Sequence, residues 1–275
     1  MSEFLYLGKI AILCIAMSLG LTGCGEENIP PEPNEIHDVR DSIKGIEQGE
    51  EEPEEAPDKE EAEKEAPDKD DAINVPQLRR GTKSEIPQEI REQMKGISMP
   101  EGATVTFEDL SYLTIPHYDY EGNVAEGHMV VDATLADEVL DIFAELYQIK
   151  FPIERMELID NFNQYIDDTF NTLDRASMSR NNTSSFCYRV VAGTSRMSYH
   201  AYGRAIDINP KINPYCVLST GYVSPSNAYE YADREKDFPG MVRHGDAVYN
   251  IFISHGWEWG GDWDDIKDYQ HFEKK

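Results

Sequence analysis

The sequence is short of positive charge. Its 25 lysines and arginines face 53 aspartates and glutamates, for a formal net charge of −28 at pH 7. That balance excludes nucleic acid and anionic lipid headgroups as direct partners, since both need a basic surface. Cysteine is sparse as well. There are four, at positions 14, 24, 187 and 216. None forms a Cys-x-x-Cys pair, which excludes a structural zinc site built from cysteines. The apolar run from Ile10 to Leu21 is about a dozen residues, too short to span a bilayer that needs roughly 20 in a helix. Regular β-α-β alternation is also missing, which excludes a doubly wound parallel sheet and points to an α+β domain around an antiparallel sheet.

What is present begins with a signal. Lys9 gives a weak positive start, the apolar run follows, and it ends in Leu21-Thr22-Gly23-Cys24. Small residues before a cysteine at that place resemble the lipobox of bacterial lipoproteins. The resemblance implies a signal peptide over residues 1–23 and a lipidated Cys24. Two or more acyl chains on one cysteine anchor a chain stably to a membrane. The expected location is therefore the extracytoplasmic face of a bacterial cell membrane. Residues 24–80 form an acidic, proline-punctuated linker in which Glu55-Ala56-Pro57-Asp58-Lys59 recurs as Glu65-Ala66-Pro67-Asp68-Lys69. About half of the net charge sits there. Such a segment cannot bury enough apolar surface to offset its ordering entropy and reads as a disordered tether. Some 50 residues reach at most roughly 165 Å when fully extended.

Residues 81–275 suffice for one domain with its own core. They are too few for the two lobes of a solute-capturing lipoprotein. A short helix is expected over Ser84–Ile97, with strands at Leu110–Ile115, Gly127–Val131, Met156–Ile159, Phe186–Val191 and Arg204–Asn209. Leu135, Val139, Ile142, Phe143 and Leu146 recur at helical spacing behind a cap at Asp132 or Thr134. A second helix, capped by Asp246, runs through Phe252 and closes at Gly256. Cys187 and Cys216 could form a disulfide or stay as buried thiols.

The stretch Ser198-Tyr199-His200-Ala201-Tyr202-Gly203-Arg204-Ala205-Ile206-Asp207 carries the chemistry. A catalytic zinc takes three protein ligands and keeps a fourth position open. His200 and Asp207 are about 10 Å apart along a helix, too far to share one ion. The segment must therefore fold back, and Gly203 permits the turn. On a following strand Asp207 points to one side and Ile206 and Ile208 to the other. Near the end, Asp268 and His271 are three residues apart and meet if the chain turns. His271 supplies a third ligand, and Asp268 a carboxylate that can accept and return a proton. Ser198 either hydrogen-bonds substrate, orients a ligand, or is a turn residue. Trp257, Trp259 and Trp263 fall within seven residues and either wall a cleft or belong to the core.

The pattern Ser-x-His-x-x-Gly-x-Ala-x-Asp, followed downstream by an acidic residue three before a histidine, resembles the VanY-type zinc D-alanyl-D-alanine carboxypeptidases. That family is grouped with VanX-like dipeptidases and L-alanyl-D-glutamate endopeptidases. Asn182–Phe186, Asp207-Ile208-Asn209-Pro210, Asn213-Pro214-Tyr215 and Gly256–Trp263 extend the likeness over most of the chain from about residue 100. The resemblance implies a hedgehog/DD-peptidase fold and Zn2+ on His200, Asp207 and His271. It implies Asp268 as general base and acid, and an upstream arginine facing the oxyanion. Arg189 is the expected one, with Arg180 and Arg196 as alternates. Ser198, Trp257 and Trp259 are the expected substrate-binding residues. The implied substrates are peptidoglycan stem peptides, cut by a monomeric carboxypeptidase, or by an endopeptidase between L-alanine and D-glutamate. A zinc-stabilised wall-binding module without activity is the alternative from another class.

Overall fold

The computed structural model describes residues 79–275. The expected signal peptide, the expected lipidation site Cys24 and the expected linker up to residue 78 lie outside them. The chain runs through β1 (Thr82–Ser84), α1 (Gln88–Met94), β2 (Leu110–Tyr118), β3 (Val124–Asp132), α2 (Ala136–Gln148), α3 (Leu173–Met178), β4 (Ala205–Asp207), β5 (Tyr215–Val217), β6 (Tyr222–Ser224), α4 (Ala247–Ser254), β7 (Glu258–Trp259), β8 (Ile266–Asp268) and β9 (His271–Glu273), with 3-10 turns between. The strands form three antiparallel sheets ordered β1-β2-β3, β4-β9-β7 and β6-β5-β8. Mixed helices with antiparallel sheets are the α+β class that the sequence implies.

The β2–β3 hairpin pairs from Leu110 with Asp132 to Tyr118 with Val124. Its turn is closed by Asp119 Oδ1, which accepts the Asn123 N–H at 2.7 Å. Leu113, Ile115, Met129 and Val131 leave one face of this hairpin and meet Val139, Ile142, Phe143 and Leu146 of α2. The helical spacing read in the sequence is the spacing of this buried stripe. The same core takes Ile206 and Ile208 from the β4 segment, Phe252 from α4 and Phe272 from β9. The rings of Phe252 and Phe272 stack at 3.9 Å. Burying each such side chain contributes about 1.5–3 kcal/mol, which fixes β4 and β9 against the helices.

Several local expectations are corrected. Neither Asp132 nor Thr134 caps α2. Asp132 Oδ1 instead accepts the N–H and hydroxyl of Thr134 in a turn, and the helix opens after Leu135. Met156–Ile159 is not a strand, and a 3-10 turn runs over Ile159–Tyr165. Phe186–Val191 is not a ladder strand either. The N–H groups of this region donate to different neighbours, Ser184 to Asp207, Phe186 to Val130, Cys187 to His200 and Tyr188 to Ser98. A segment that pairs residue by residue with four partners satisfies its backbone without joining any one sheet. The helix at Asp246 is as expected. The Asp246 side chain accepts the Tyr249 N–H, and Gly256 has φ +78°.

Cys187 and Cys216 are free and buried, not a disulfide. Burial raises their thiols to about 12 and about 11 respectively. Since the thiolate is the reactive form, neither should be alkylated at pH 8 in the folded chain. Peptide mapping after alkylation checks this; a Cys187–Cys216 linkage on a non-reducing map, or rapid labelling of either, contradicts it. Gly203 is the turn glycine. Its φ is +67°, and a Cβ there would run into the backbone of Val131 and Asp132. Gly203→Ala should cost more than about 2 kcal/mol in denaturant unfolding; an unchanged midpoint contradicts this reading.

Candidate metal and catalytic site

Register builds the site. β4 and β9 pair with Asp207 directly opposite His271 and Ile206 opposite Phe272. Residues directly across an antiparallel pair share a face. Asp207 and His271 therefore face one way, and Ile206 and Phe272 are driven into the core on the other. His200 arrives from the 3-10 turn Tyr199–Tyr202. That turn is capped by Ser198, whose Oγ accepts the His200 N–H at 3.3 Å, and it ends at the left-handed Gly203.

The three side chains are buried and converge. His200 Nε2 lies 3.2 Å from His271 Nδ1, His271 Nδ1 lies 3.2 Å from Asp207 Oδ1, and His200 Nε2 lies 3.3 Å from Asp207 Oδ1. A tetrahedral ion with bonds of about 2.0–2.1 Å spaces its ligand atoms by about 3.3–3.4 Å. The triangle matches one face of that tetrahedron. Each donor has a second contact that fixes it. His200 Nδ1 faces the Ser185 carbonyl at 2.7 Å, and His271 Nε2 faces Glu273 Oε2 at 3.0 Å. Those partners accept only, so Nδ1 of His200 and Nε2 of His271 carry the hydrogens. The opposite ring nitrogens then present lone pairs to the same point as Asp207 Oδ1. Gln270 Nε2 donates to Asp207 Oδ2 at 3.1 Å and leaves Oδ1 directed inward.

Three acceptors converging in a dry site repel one another unless a cation sits between them. Without a metal, a proton on His271 meets that demand in part. Burial works against its charge, yet contacts with Asp207 and Glu273 raise it to about 10. Burial also works against ionising Asp207, and His200 and His271 overcome it, holding Asp207 far below the ordinary carboxylate range. The donor set, its spacing and its outer contacts fit a divalent metal ion.

Around this trio lies a cleft of ≈440 Å³, lined also by Arg189, Ser198, Tyr215, Trp263, Asp268 and Gln270. Asp268 ends β8, opposite Tyr215 of β5. The two residues Tyr269 and Gln270 then carry the chain into β9. This turn brings Asp268 and His271 to one cleft from two different sheets. Asp268 Oδ1 is buried without a hydrogen-bond partner. Burial raises its carboxyl to about 7, against the pull of His271; a cation in the neighbouring donors draws it down. Arg189 Nη2 donates to Asp174 Oδ1 at 2.9 Å, and its Nε is buried and unpaired. Burial opposes its charge, but Asp174, Cys187 and Asp207 more than offset this, so its pKa is raised.

The structure thus brings His200, Asp207, His271, Asp268, Arg189 and Ser198 together. It does not bring Trp257 or Trp259. Trp257 is 2% and Trp259 4% exposed, both in the core, with their ring N–H groups on Glu138 Oε1 and the Tyr269 carbonyl. The cause is register again: Trp259 pairs with Phe272 on the core face. The tryptophan in the cleft is Trp263, 36% exposed, its ring 5.7 Å from that of His271. His244 and His255 pair with Asp262 and Glu145. Sequence reasoning passed over Glu273, although two residues past His271 on a strand is the same face. It also passed over Gln270 and Asp174, for which no spacing signal exists.

Residues 192–274 match the family model described as D-alanyl-D-alanine carboxypeptidase. The match supports a peptidase. Its span holds His200, Asp207, Asp268 and His271, and leaves Arg189 and Asp174 just upstream. No curated protein and no solved structure matches the chain. The carboxypeptidase match and the donor triangle fall on the same segment.

Glu273→Gln should lower divalent-metal affinity about 10- to 100-fold in competition with a chromophoric chelator, with the fold intact. Unchanged affinity would mean that the His271–Glu273 contact does not tune the site.

Proposed function

We propose that this chain is a zinc peptidase that removes the terminal D-alanine from peptidoglycan stem peptides, working as a monomer at the extracytoplasmic face of a bacterial membrane to which Cys24 anchors it. The observation that carries the reading is the His200–Asp207–His271 triangle with Asp268 unpaired beside it, inside the segment that matches the carboxypeptidase model. His200 Nε2, Asp207 Oδ1 and His271 Nδ1 would hold the ion. When bound, zinc supplies Lewis acidity, polarising a carbonyl and lowering the pKa of water.

The side chains do the rest. The Asp268 carboxyl lines the cleft and forms no ion pair among the described residues, and it accepts the proton of the attacking water. The same carboxyl then passes that proton to the departing amine, so that a neutral amino group leaves. Arg189 stays charged at every working pH. Arg189 lines the cleft, and its terminal N–H groups not taken by Asp174 face the oxygen that gains negative charge as the scissile carbonyl becomes tetrahedral. Ser198 keeps His200 in place through the turn it caps. Trp263 shields one side of the cleft from water. A buried carboxyl oxygen left without a partner costs free energy, which speaks for a peptidase over a binding module that keeps the fold but not the reaction.

Asp268→Ala should leave metal content unchanged and lower hydrolysis about 10²- to 10⁴-fold. Digestion of a purified stem pentapeptide with product weighing by mass spectrometry checks this. Release of free D-alanine supports the carboxypeptidase. Cleavage between L-alanine and D-glutamate assigns the endopeptidase activity instead, and full activity in the variant contradicts the role given to Asp268.

A further inference from the structure

Arg189 is held from behind by a residue outside the cleft. Asp174 accepts from its Nη2 at 2.9 Å, and the two side chains are 24% and 28% exposed. Asp174 does not line the cleft that Arg189 lines. It sits in the first turn of α3, whose N-terminus is capped by Thr172 Oγ1 accepting the Arg175 N–H at 3.2 Å. α3 itself is pinned on two sides. Its Ala176, Ser177 and Met178 are buried, Asn182 Nδ2 donates to Ser177 Oγ at 3.0 Å, and Arg175 Nη2 donates to the Tyr222 hydroxyl at 3.2 Å. Asp174 is thus a fixed point.

A guanidinium has five N–H donors in a rigid fork, and one of Arg189's is used by Asp174. A second, Nε–H, is buried and unpaired. Asp268 lines the same cleft, and its Oδ1 is also buried and unpaired. An arginine and an aspartate lining one cleft gain a strong charge-assisted pair if they meet. Here they do not meet, and what holds Arg189 elsewhere is Asp174.

We propose that Asp174 is a positioning residue for the peptidase reaction. Its carboxylate fixes the Arg189 guanidinium so that the remaining terminal N–H groups are presented to the substrate carbonyl oxygen, and it keeps Arg189 from collapsing onto Asp268 and neutralising the base. The proposal rests on the peptidase reading for its kinetic consequences, and on geometry alone for the tether.

The test uses the full chain loaded with zinc, acting on a D-alanine-terminated stem pentapeptide, in a double-mutant cycle of D174A, R189A and D174A/R189A, with D174N and D174E alongside. D174A should lower kcat about tenfold or more, with KM and zinc content close to wild type. D174E should recover part of the loss, and D174N, which keeps the shape without the charge, should fall between. In the R189A background, D174A should change kcat by less than about twofold. Losses that multiply in the double variant would overturn the proposal, as would equal losses of zinc and activity in D174N. Arginine side-chain NMR gives a readout free of catalysis. The Arg189 Nε–H resonance should be slowly exchanging in the wild type and exchange-broadened in D174N; no difference between them overturns the tether. If the wild type releases no amino acid from any stem peptide, the peptidase reading fails, while the NMR result still decides whether Asp174 holds Arg189.

Discussion

The structure depends on one strand pairing. β4 and β9 place Asp207 across from His271 on one face and Ile206 across from Phe272 on the other. A one-residue slip would turn every side chain of β9 to the opposite face. His271 would then enter the core, and Phe272 the cleft. The burial of Phe272 against Phe252 and of Ile206 against the α2 layer prevents that slip. The apolar core thus sets the spacing of the polar site, although none of its residues touches the cleft. Arg204 reinforces the arrangement from outside, with Nη1 on Asp132 Oδ2 at 3.0 Å and Nε on the Lys274 carbonyl at 3.1 Å.

Charge is distributed with the same economy. A chain of net charge −28 builds a cleft in which the acidic groups each have an assigned neighbour. Asp207 is shared between His200, His271 and Gln270, Glu273 faces His271, and Glu258 pairs with Lys275 at 2.8 Å. Asp268 is the exception. Its Oδ1 is a buried acceptor without a partner, on a residue that lines the cleft. The surrounding contacts belong to positioning: Ser185 and Glu273 fix ring tautomers, Gln270 selects one oxygen of Asp207, and Asp174 steadies Arg189.

Much of the site was legible in the sequence, and for physical reasons. Helix geometry forbids His200 and Asp207 from sharing an ion on one helix, so the turn at Gly203 and the strand after it follow from spacing. The three-residue interval from Asp268 to His271 fits a chain that turns, and the turn is there. The α2 stripe and the Asp246 cap are local signals and read correctly. What was not legible depends on long-range pairing. Trp259 went to the core because β7 lies beside β9, and Trp257 because it packs on Phe252 of α4, contacts that no local pattern encodes. The run from Phe186 to Val191 reads as a strand in composition, yet its backbone divides its hydrogen bonds among several neighbours. Asp174 lies on a six-residue helix with no marked periodicity, and only folding brings it to Arg189.

The central claim is that His200, Asp207 and His271 hold a metal ion in tetrahedral spacing. Metal analysis combined with X-ray absorption at the zinc edge, on the purified full-length chain, tests it most directly. The account predicts one zinc per chain, with two imidazole nitrogens and one carboxylate oxygen as its protein ligands, lost when His200 and His271 are both replaced by alanine. A chain with no stoichiometric metal, or one that keeps its zinc after both replacements, would contradict it.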